Sequence, residues 1–400
     1  MRIGSRKLLF PYRKFILTIS YAIVIFALIK PDSLGYLGFE WLEYLLIGLD
    51  GLLLCYLLLL VISGVYKISK ITYIIILYFI IGLVSTALHT CEFFVWIKIA
   101  GPAIATCLMT DYMMQRKRDI FFSSIYITLS VCYLFNLITI IYFPDGMYQM
   151  ENVVGDLYLM GYHNGMIYNL IPLCGVSLII SYLKKGKLLT MYSIFAIALS
   201  VASVFIAQSG SGIVQMIIWV LLIFCADKRW INKMIKPSFL FGAFFVFSIL
   251  LNVFRMQYIF SWLIVGLLNK DLTITNRVYL WDSAIEIFKS HPFLGIGYGA
   301  TTIIGIYGRS YSHPHSLFLD ILSKGGICLM GIFLWLLSVF SNKFKRAENK
   351  VVKKIILVVI GAFLVGEIVN STQYKVFFWM FFVLIGYCET MIYGETGLKK

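Results

Sequence analysis

The sequence predicts an all-α, polytopic membrane protein, and three observations carry this prediction. Of the 400 residues, 60% are hydrophobic and 13% are charged, whereas soluble chains average about half apolar and about a quarter charged. Apolar stretches long enough for a helix of about 20 residues to cross a bilayer recur along the chain. The net charge of +15 comes from basic groups between these stretches, a pattern typical of membrane topology and not of nucleic-acid binding.

About twelve apolar runs are expected to form transmembrane helices, so we treat residues 1–400 as a single integral membrane domain. The basic N-terminal segment leads into the first run without a small-residue cleavage site, and this run is expected to be retained as a span. The runs centre near residues 22, 54, 80, 103, 131, 174, 198, 218, 246, 328, 363 and 384.

The basic segments of the chain all fall on one side of this arrangement. Apart from the long connection described below, the opposite side is acidic or neutral, and its connection 144–164 contains no lysine or arginine. Because basic loops stay in the cytoplasm, both termini are expected to be cytoplasmic. The basic segments are the two termini and residues 66–70, 115–119, 184–187, 227–236 and 342–354.

One connection on the outer side is unusually long. Residues 255–314, between spans nine and ten, are expected to form a large extracytoplasmic loop with a function of its own. Within it, the spacing of apolar residues predicts an amphipathic helix over about 276–290, with Thr275 or Asn276 as its N-cap. The run "GIGYG" (295–299) is expected to be a turn that needs glycine backbone freedom.

Arg277 falls on the apolar arc of that helix, close to its N-terminus. A buried guanidinium is costly unless it meets an anion, and a helix N-terminus offers free N–H groups and a positive dipole end. Arg277 is therefore a candidate phosphate clamp. Its alternative roles are an ion pair with an acid such as Asp271, or contact with lipid headgroups.

Two of the five histidines, His313 and His315, flank Pro314 directly before span ten. The preference of proline for the first helical position predicts Pro314 as the start of this helix, with both imidazoles at the outer water boundary. The helix end and nearby cations such as Arg309 are expected to lower the pKa of His315 and keep it neutral, as a general base must be. Capping, or contact with headgroups, is the structural alternative. Asp320 follows within the first turns.

Three further ionisable residues lie near the outer ends of predicted spans: Asp50, Lys98 and Glu367. They are expected either to line one external polar vestibule or to pair with one another, for example Lys98 with Asp50.

This order of elements resembles the O-antigen ligase and O-antigen or capsular polysaccharide polymerase family. The helix of Arg277 and Trp281 runs into "HPFLGIGYG" (291–299), and a His-x-His element then opens a helix. The likeness covers residues 275–331. That last helix carries the pattern LxxLxxxGIxxxG at Leu319, Leu322, Gly326, Ile327 and Met330 or Gly331.

The resemblance implies a GT-C-like glycosyltransferase of the bacterial inner membrane, inverting, metal-independent and without a cofactor. Its donor would be an undecaprenyl-diphosphate-linked oligosaccharide on the outer face of the bilayer. By the same resemblance, His315 would activate the acceptor hydroxyl with support from His313, and Arg277 would hold the diphosphate, with Arg309 as an addition. Trp281 would belong to the substrate-binding set.

The sequence departs from the family pattern at two places. A Ser/Thr-Arg pair expected between spans seven and eight is replaced by "AQSGSGIVQ" (207–215), so Arg255 or Lys98 would supply that diphosphate contact. The usual asparagine after the histidine is replaced by Ser316. The family's asparagine at the start of span six is matched by Asn164 in "GYHNG", which adds Asn164 and His163 to the substrate-binding candidates.

The missing Ser/Thr-Arg pair favours a polymerase, which joins lipid-linked repeat units, over a ligase, which transfers the glycan to lipid A core. A chain-length regulator and a flippase of the same pathway are the further candidate partners. A twelve-span flippase or transporter is the remoter alternative, since the internal repeats and broken helices typical of transporters are not evident in the sequence.

Overall fold

The computed structural model describes residues 3–149, 155–225, 236–267, 276–299, 303–305 and 308–391, with the side chains of 3–11, 263–264 and 267 left aside. Within these ranges the regular secondary structure is helical apart from two short antiparallel hairpins. The first hairpin pairs Leu157 with Tyr162, and the second pairs Ile303 with Tyr311. The predicted all-α class is confirmed.

The helices are numbered in chain order. They are α1 (Ile3–Ile29), α2 (Glu40–Ile62), α3 (Lys70–His89), α4 (Phe93–Arg116), α5 (Arg118–Tyr142), α6 (Ile167–Lys185), α7 (Met191–Ile206), α8 (Gly210–Cys225), α9 (Pro237–Ser248), α10 (Arg277–Ser290), α11 (Leu317–Arg346), α12 (Lys350–Glu367) and α13 (Val376–Leu384). The strands are β1 (Leu157–Tyr158), β2 (Gly161–Tyr162), β3 (Ile303–Ile304) and β4 (Ser310–Tyr311). Short π segments cover Ile249–Val253 and Trp262–Leu267, and short 3₁₀ segments cover Met256–Phe260 and Ile385–Tyr387.

The chain is a multi-pass membrane protein by the length and composition of its helices. Seven helices of the described ranges, α1 to α6 and α11, are long and apolar enough to cross a bilayer. Four further apolar helices are shorter, namely α7, α8, α9 with its π extension, and α13 with its 3₁₀ extension. Each predicted run centre lies inside a helix. The count of about twelve spans and the orientation of the termini stay predictions.

The described chain divides into two compact units. The first comprises residues 1–68, 105–216 and 387–400. In it, α1 packs against α5 and α2, and α5 also packs against α6 and α7. Hydroxyl groups join α5 to α1, since Ser124 donates to the carbonyl of Thr18 at 2.8 Å and Thr128 donates to that of Ala22 at 2.9 Å. Such hydrogen bonds stabilise helix pairs where no water competes.

The second unit comprises residues 69–104 and 217–386. Helix α11 packs against α3, α9 and α10, and α12 packs against α9 and α13. Every residue of α13 is buried, as expected of a helix that is apolar on all sides. Its Trp379 packs its ring against Tyr78 and Phe79 of α3. This second unit contains the candidate residues His313, His315 and Arg277.

Helix α11 is broken at Gly326, whose φ of 59° and ψ of −154° are not helical. The backbone of the preceding loop fills the break: Ile296 donates to the carbonyl of Ser323 at 2.8 Å, and Ile327 donates to that of Pro292 at 2.8 Å. These bonds satisfy groups that the interrupted helix leaves free, a requirement away from water. A broken helix, which was not evident in the sequence, is therefore present, and the loop supplies the hydrogen-bond partners that it needs.

The glycines of the 295–299 run allow this close approach. Gly295 and Gly297 have φ values of 61° and 81°, which favour glycine. A Cβ on Gly295 would overlap the backbone of α11 at Ser323, and one on Gly297 would overlap the backbone of α3 at Thr86. The run therefore packs between α11 and α3, a role in addition to the turn that was expected.

Candidate active site

The amphipathic helix of the loop is α10, and its buried side is the one that the spacing predicts. Leu280, Trp281 and Ala284 are buried and form a core with Ile303 and Leu319. Asn276 is the N-cap residue, with a left-handed φ of 65° and no side-chain capping bond. Thr275, the alternative N-cap, and Asp271, the alternative ion-pair partner of Arg277, lie outside the described residues.

The two histidines stand immediately before α11. The prediction that Pro314 begins this helix is wrong, because α11 starts at Leu317. Ser316 is the N-cap of α11, and its side chain accepts a hydrogen bond from the Leu319 N–H. A serine is a preferred N-cap residue, so Ser316, at the family's asparagine position, has a local structural role. His315 has a left-handed φ of 52°, a conformation that is rare for a residue with a side chain.

Three polar side chains from different elements converge on residues 368–370, which we call the anchor segment. Asn252 donates to the carbonyl of Ile368 at 3.0 Å. Arg277 donates to the carbonyl of Val369 through Nη1. His315 Nδ1 lies 3.2 Å from the Oδ1 of Asn370. The predicted arginine and histidine are therefore bound to adjacent residues of one short segment.

His313 lies against His315, with 4.3 Å between the ring centroids. The backbone N–H of His315 donates to the Nδ1 of His313 at 3.3 Å. Both side chains are partly buried, whereas the sequence placed them facing water.

The surroundings of the histidines favour the uncharged ring. Burial, with the charges of Lys324 and Arg277, lowers the pKa of His313 to about 3. Burial, with His313 and Arg277, also lowers the pKa of His315 well below its ordinary value, against smaller opposite effects of Asn370 and Asp320. The expected direction for His315 is confirmed, although burial contributes more than any charge. Both rings are neutral at physiological pH.

A buried polar network joins α11 to the residues that follow the anchor segment. Asp320 pairs with Lys324 at 2.9 Å. Its other oxygen accepts hydrogen bonds from Ser371 and, at 2.8 Å, from Gln373. Gln373 also accepts from Tyr298 at 2.9 Å. Paired and hydrogen-bonded in this way, the charges are compensated for their burial, and they fix the segment that follows Asn370.

Arg255 and Trp281 are engaged with α10 itself. Arg255 forms an ion pair with Asp282 and donates to the carbonyl of Val278 at 3.2 Å. Its guanidinium lies 5.2 Å from the ring of Trp281, which is fully buried. The indole is thus a core residue in this structure, and its expected substrate contact stays a prediction.

Arg309 and Lys98 are exposed. The carbonyl of Arg309 accepts from Gly305 in the β3–β4 hairpin at 2.8 Å, so its side chain extends from a turn. Lys98 lies over the ring of Phe94, with 4.8 Å from Nζ to the centroid. The diphosphate contact expected of Arg309 or Lys98 stays a prediction.

His163 and Asn164 belong to the first unit. Asn164 Oδ1 accepts from Ser209 at 3.0 Å and from Ser211 at 3.3 Å, and its amide donates to Tyr162. Thus, within the first unit, the arginine-free turn at 207–215 is bound by the predicted asparagine. The ring of His163 lies 4.4 Å from that of Tyr162.

The remaining ionisable candidates, Asp50 and Glu367, have local partners. Asp50 pairs with Lys30 at 3.6 Å, and Glu367 accepts from the backbone N–H of Thr372 at 2.8 Å. In the described part of the chain, no three histidine, cysteine, aspartate or glutamate side chains group as metal ligands.

Sequence reasoning missed Asn252 and Asn370. A usable signal for Asn370 was present, since the polar run "NSTQ" (370–373) interrupts two strongly apolar stretches. The sequence signal for Asn252 was weaker, because it is a single amide side chain within an apolar run.

A sequence model of a family described as O-Antigen ligase matches residues 195–336. The predicted family resemblance is confirmed. The O-antigen ligase match contains α10, both histidines and the break in α11, and it ends before the anchor segment. It supports a ligase-type or polymerase-type function in polysaccharide assembly.

The exopolysaccharide production protein ExoQ of Rhizobium meliloti (strain 1021) is 32% identical to the chain over 117 residues. The alignment covers 26% of this chain and 27% of ExoQ, so it spans about a quarter of either protein. ExoQ takes part, by its name, in exopolysaccharide production.

Proposed function

We propose that the protein is a polysaccharide polymerase of the bacterial inner membrane, with its active site on the outer face. It transfers an undecaprenyl-diphosphate-linked glycan onto a hydroxyl of a lipid-linked repeat unit. The observation that carries the proposal is the convergence of Arg277 and His315 on residues 369 and 370. The O-antigen ligase match and the likeness to ExoQ support the substrate class.

The reaction is one displacement at the anomeric carbon. The acceptor oxygen forms the new C–O bond while the bond to the diphosphate breaks, and undecaprenyl diphosphate leaves with that electron pair. Because attack and departure occur on opposite faces, the anomeric configuration inverts. The proton of the acceptor hydroxyl passes to the neutral ring of His315.

Arg277 supplies the charge that the leaving group requires. Its guanidinium has five N–H donors, and the bond to Val369 holds it in place. Positive charge fixed near a departing diphosphate stabilises the transition state more than the ground state. His313 supports the base through its ring contact with His315, and exposed Arg309 is an additional cation for the diphosphate.

A reconstitution experiment tests the proposal. Purified protein in bilayer nanodiscs receives lipid-linked repeat units alone, and products are separated by length. Chain growth without lipid A core identifies a polymerase, whereas transfer that requires lipid A core identifies a ligase.

A flippase or transporter is the second candidate function, and the break in α11 is the observation that favours it, since broken helices are frequent in transporters. Protein in sealed vesicles that moves lipid-linked repeats across the bilayer without forming any glycosidic bond would establish the flippase and remove the polymerase.

A further inference from the structure

We infer that Asn370 is a positioning residue that selects the ring tautomer of His315, so that Nε2 is the atom that accepts the proton. This inference rests on the proposed function, because it refines the role of His315 as base. It adds a residue outside the stretch that the family model matches, which ends at residue 336.

The orientation of the Asn370 side chain follows from a second bond. Its Oδ1 accepts a hydrogen bond from the backbone N–H of Ser371 at 2.9 Å. A backbone N–H can only donate, so the atom that faces it must be the amide oxygen and not the amide nitrogen. The usual ambiguity between the two ends of an asparagine is thereby removed.

The tautomer of His315 follows from this orientation. An amide oxygen only accepts, so the Nδ1 of His315, 3.2 Å away, must carry the hydrogen. In a neutral imidazole the other nitrogen then has the lone pair. Nε2 is therefore the basic atom, and His315 cannot present Nδ1 to a substrate.

The structure holds this pair from both sides. Asn252 and Arg277 bind the carbonyls of Ile368 and Val369, directly before Asn370. Ser371, directly after it, donates to the buried carboxylate of Asp320. On the other side, His315 keeps a left-handed backbone, a conformation that persists where surrounding contacts determine it.

The matched variants keep or remove the acceptor. Asn370→Leu preserves the approximate shape without an acceptor, and Asn370→Asp preserves the acceptor and adds charge. Asn342→Leu is the control, because Asn342 is exposed near the other end of α11. His315→Gln reports on the proposed function itself.

The first readout is the ¹⁵N spectrum of the histidine rings in protein reconstituted in bilayers, with peaks assigned by single His→Gln changes among the five histidines. Wild type and Asn342→Leu are expected to show His315 with hydrogen on Nδ1 alone. Asn370→Leu is expected to show an Nε2–H population. A spectrum of Asn370→Leu in which His315 keeps hydrogen only on Nδ1 overturns the inference.

The second readout is polymerisation kinetics. Asn370→Leu is expected to lower kcat roughly 10²–10⁴-fold, the range of general-base catalysis, because a ring with hydrogen on Nε2 cannot accept the proton there. KM for the lipid-linked donor is expected to be unchanged. Asn370→Asp is expected to retain kcat and to shift the acid limb of the pH profile upward, because its carboxylate stabilises the imidazolium. The charged or titratable groups that act on His315 are otherwise unchanged: Arg277 of α10, Asp320 of α11, and His313, which precedes α11.

The two hypotheses fail separately. If His315→Gln polymerises at the wild-type rate, the proposed base is wrong. If His315→Gln is inactive while Asn370→Leu has the wild-type kcat, only the positioning role is wrong. A loss of activity shared equally by Asn370→Leu and Asn370→Asp also overturns the inference, since it indicates a structural role.

Discussion

Individual residues of the site combine burial with a specific partner, and this combination has a consequence for stability. The pKa of His313 is lowered to about 3, and that of His315 is lowered as well. At these two histidines the unfolded chain therefore binds more protons than the folded chain between about pH 6.5 and pH 3, so their contribution to stability falls as the pH falls through this window.

We accordingly expect these two histidines to contribute a decrease in the melting temperature of the reconstituted protein between pH 6.5 and pH 4.5. Replacing His313 with Gln should make this decrease smaller, because one proton-linked group is removed. Gln at the exposed His291 is the control and should leave the slope as in wild type. An unchanged slope in the His313 variant would contradict the assigned burial.

A substitution of Trp281 distinguishes two roles for its side chain, packing in the protein core and contact with the substrate. Because its side chain is fully buried, Trp281→Ala is expected to destabilise the protein by about 3–5 kcal/mol, measured by thermal or denaturant unfolding. Trp262→Ala, at an indole that is 69% exposed, is the matched control and should change stability little. A Trp281→Ala protein of normal stability with a raised KM would instead support the substrate role.

At the scale of elements, α11 depends on two glycines in different ways. Gly326 has a positive φ and meets the backbone of residues 292 and 293, whereas a Cβ on Gly331 would meet nothing within 4 Å. Gly326→Ala is therefore expected to lower the yield of folded protein and its melting temperature strongly. Gly331→Ala should behave as wild type. Equal behaviour of the two variants would show that the break is not needed.

The sequence predicted the elements better than their contacts. Apolar periodicity placed α10 within about a residue of its observed start, because local spacing determines which face is buried. It could not reveal that His315 meets Asn370, since these residues are 55 positions apart and only tertiary packing joins them. The start of α11 was missed for a local reason: Ser316 caps the helix two residues beyond the proline that was expected to begin it.

At the scale of the whole molecule, orientation remains the main prediction. Cysteine labelling tests it in a background with the exposed Cys55, Cys91 and Cys328 replaced. We expect Arg309→Cys to react with a membrane-impermeant maleimide in intact spheroplasts. Lys187→Cys should react only after permeabilisation, because its basic loop is expected to be cytoplasmic. The reverse pattern would place the site on the cytoplasmic face.

The central claim is that a neutral His315 accepts the proton of the acceptor hydroxyl. The most direct measurement is the rate of chain growth from lipid-linked repeats by purified His315→Gln protein in nanodiscs, beside His291→Gln as a matched control. The account predicts a loss of about 10²–10⁴-fold for His315→Gln, with donor binding retained, and a wild-type rate for the control. Chain growth by His315→Gln at the wild-type rate would contradict it.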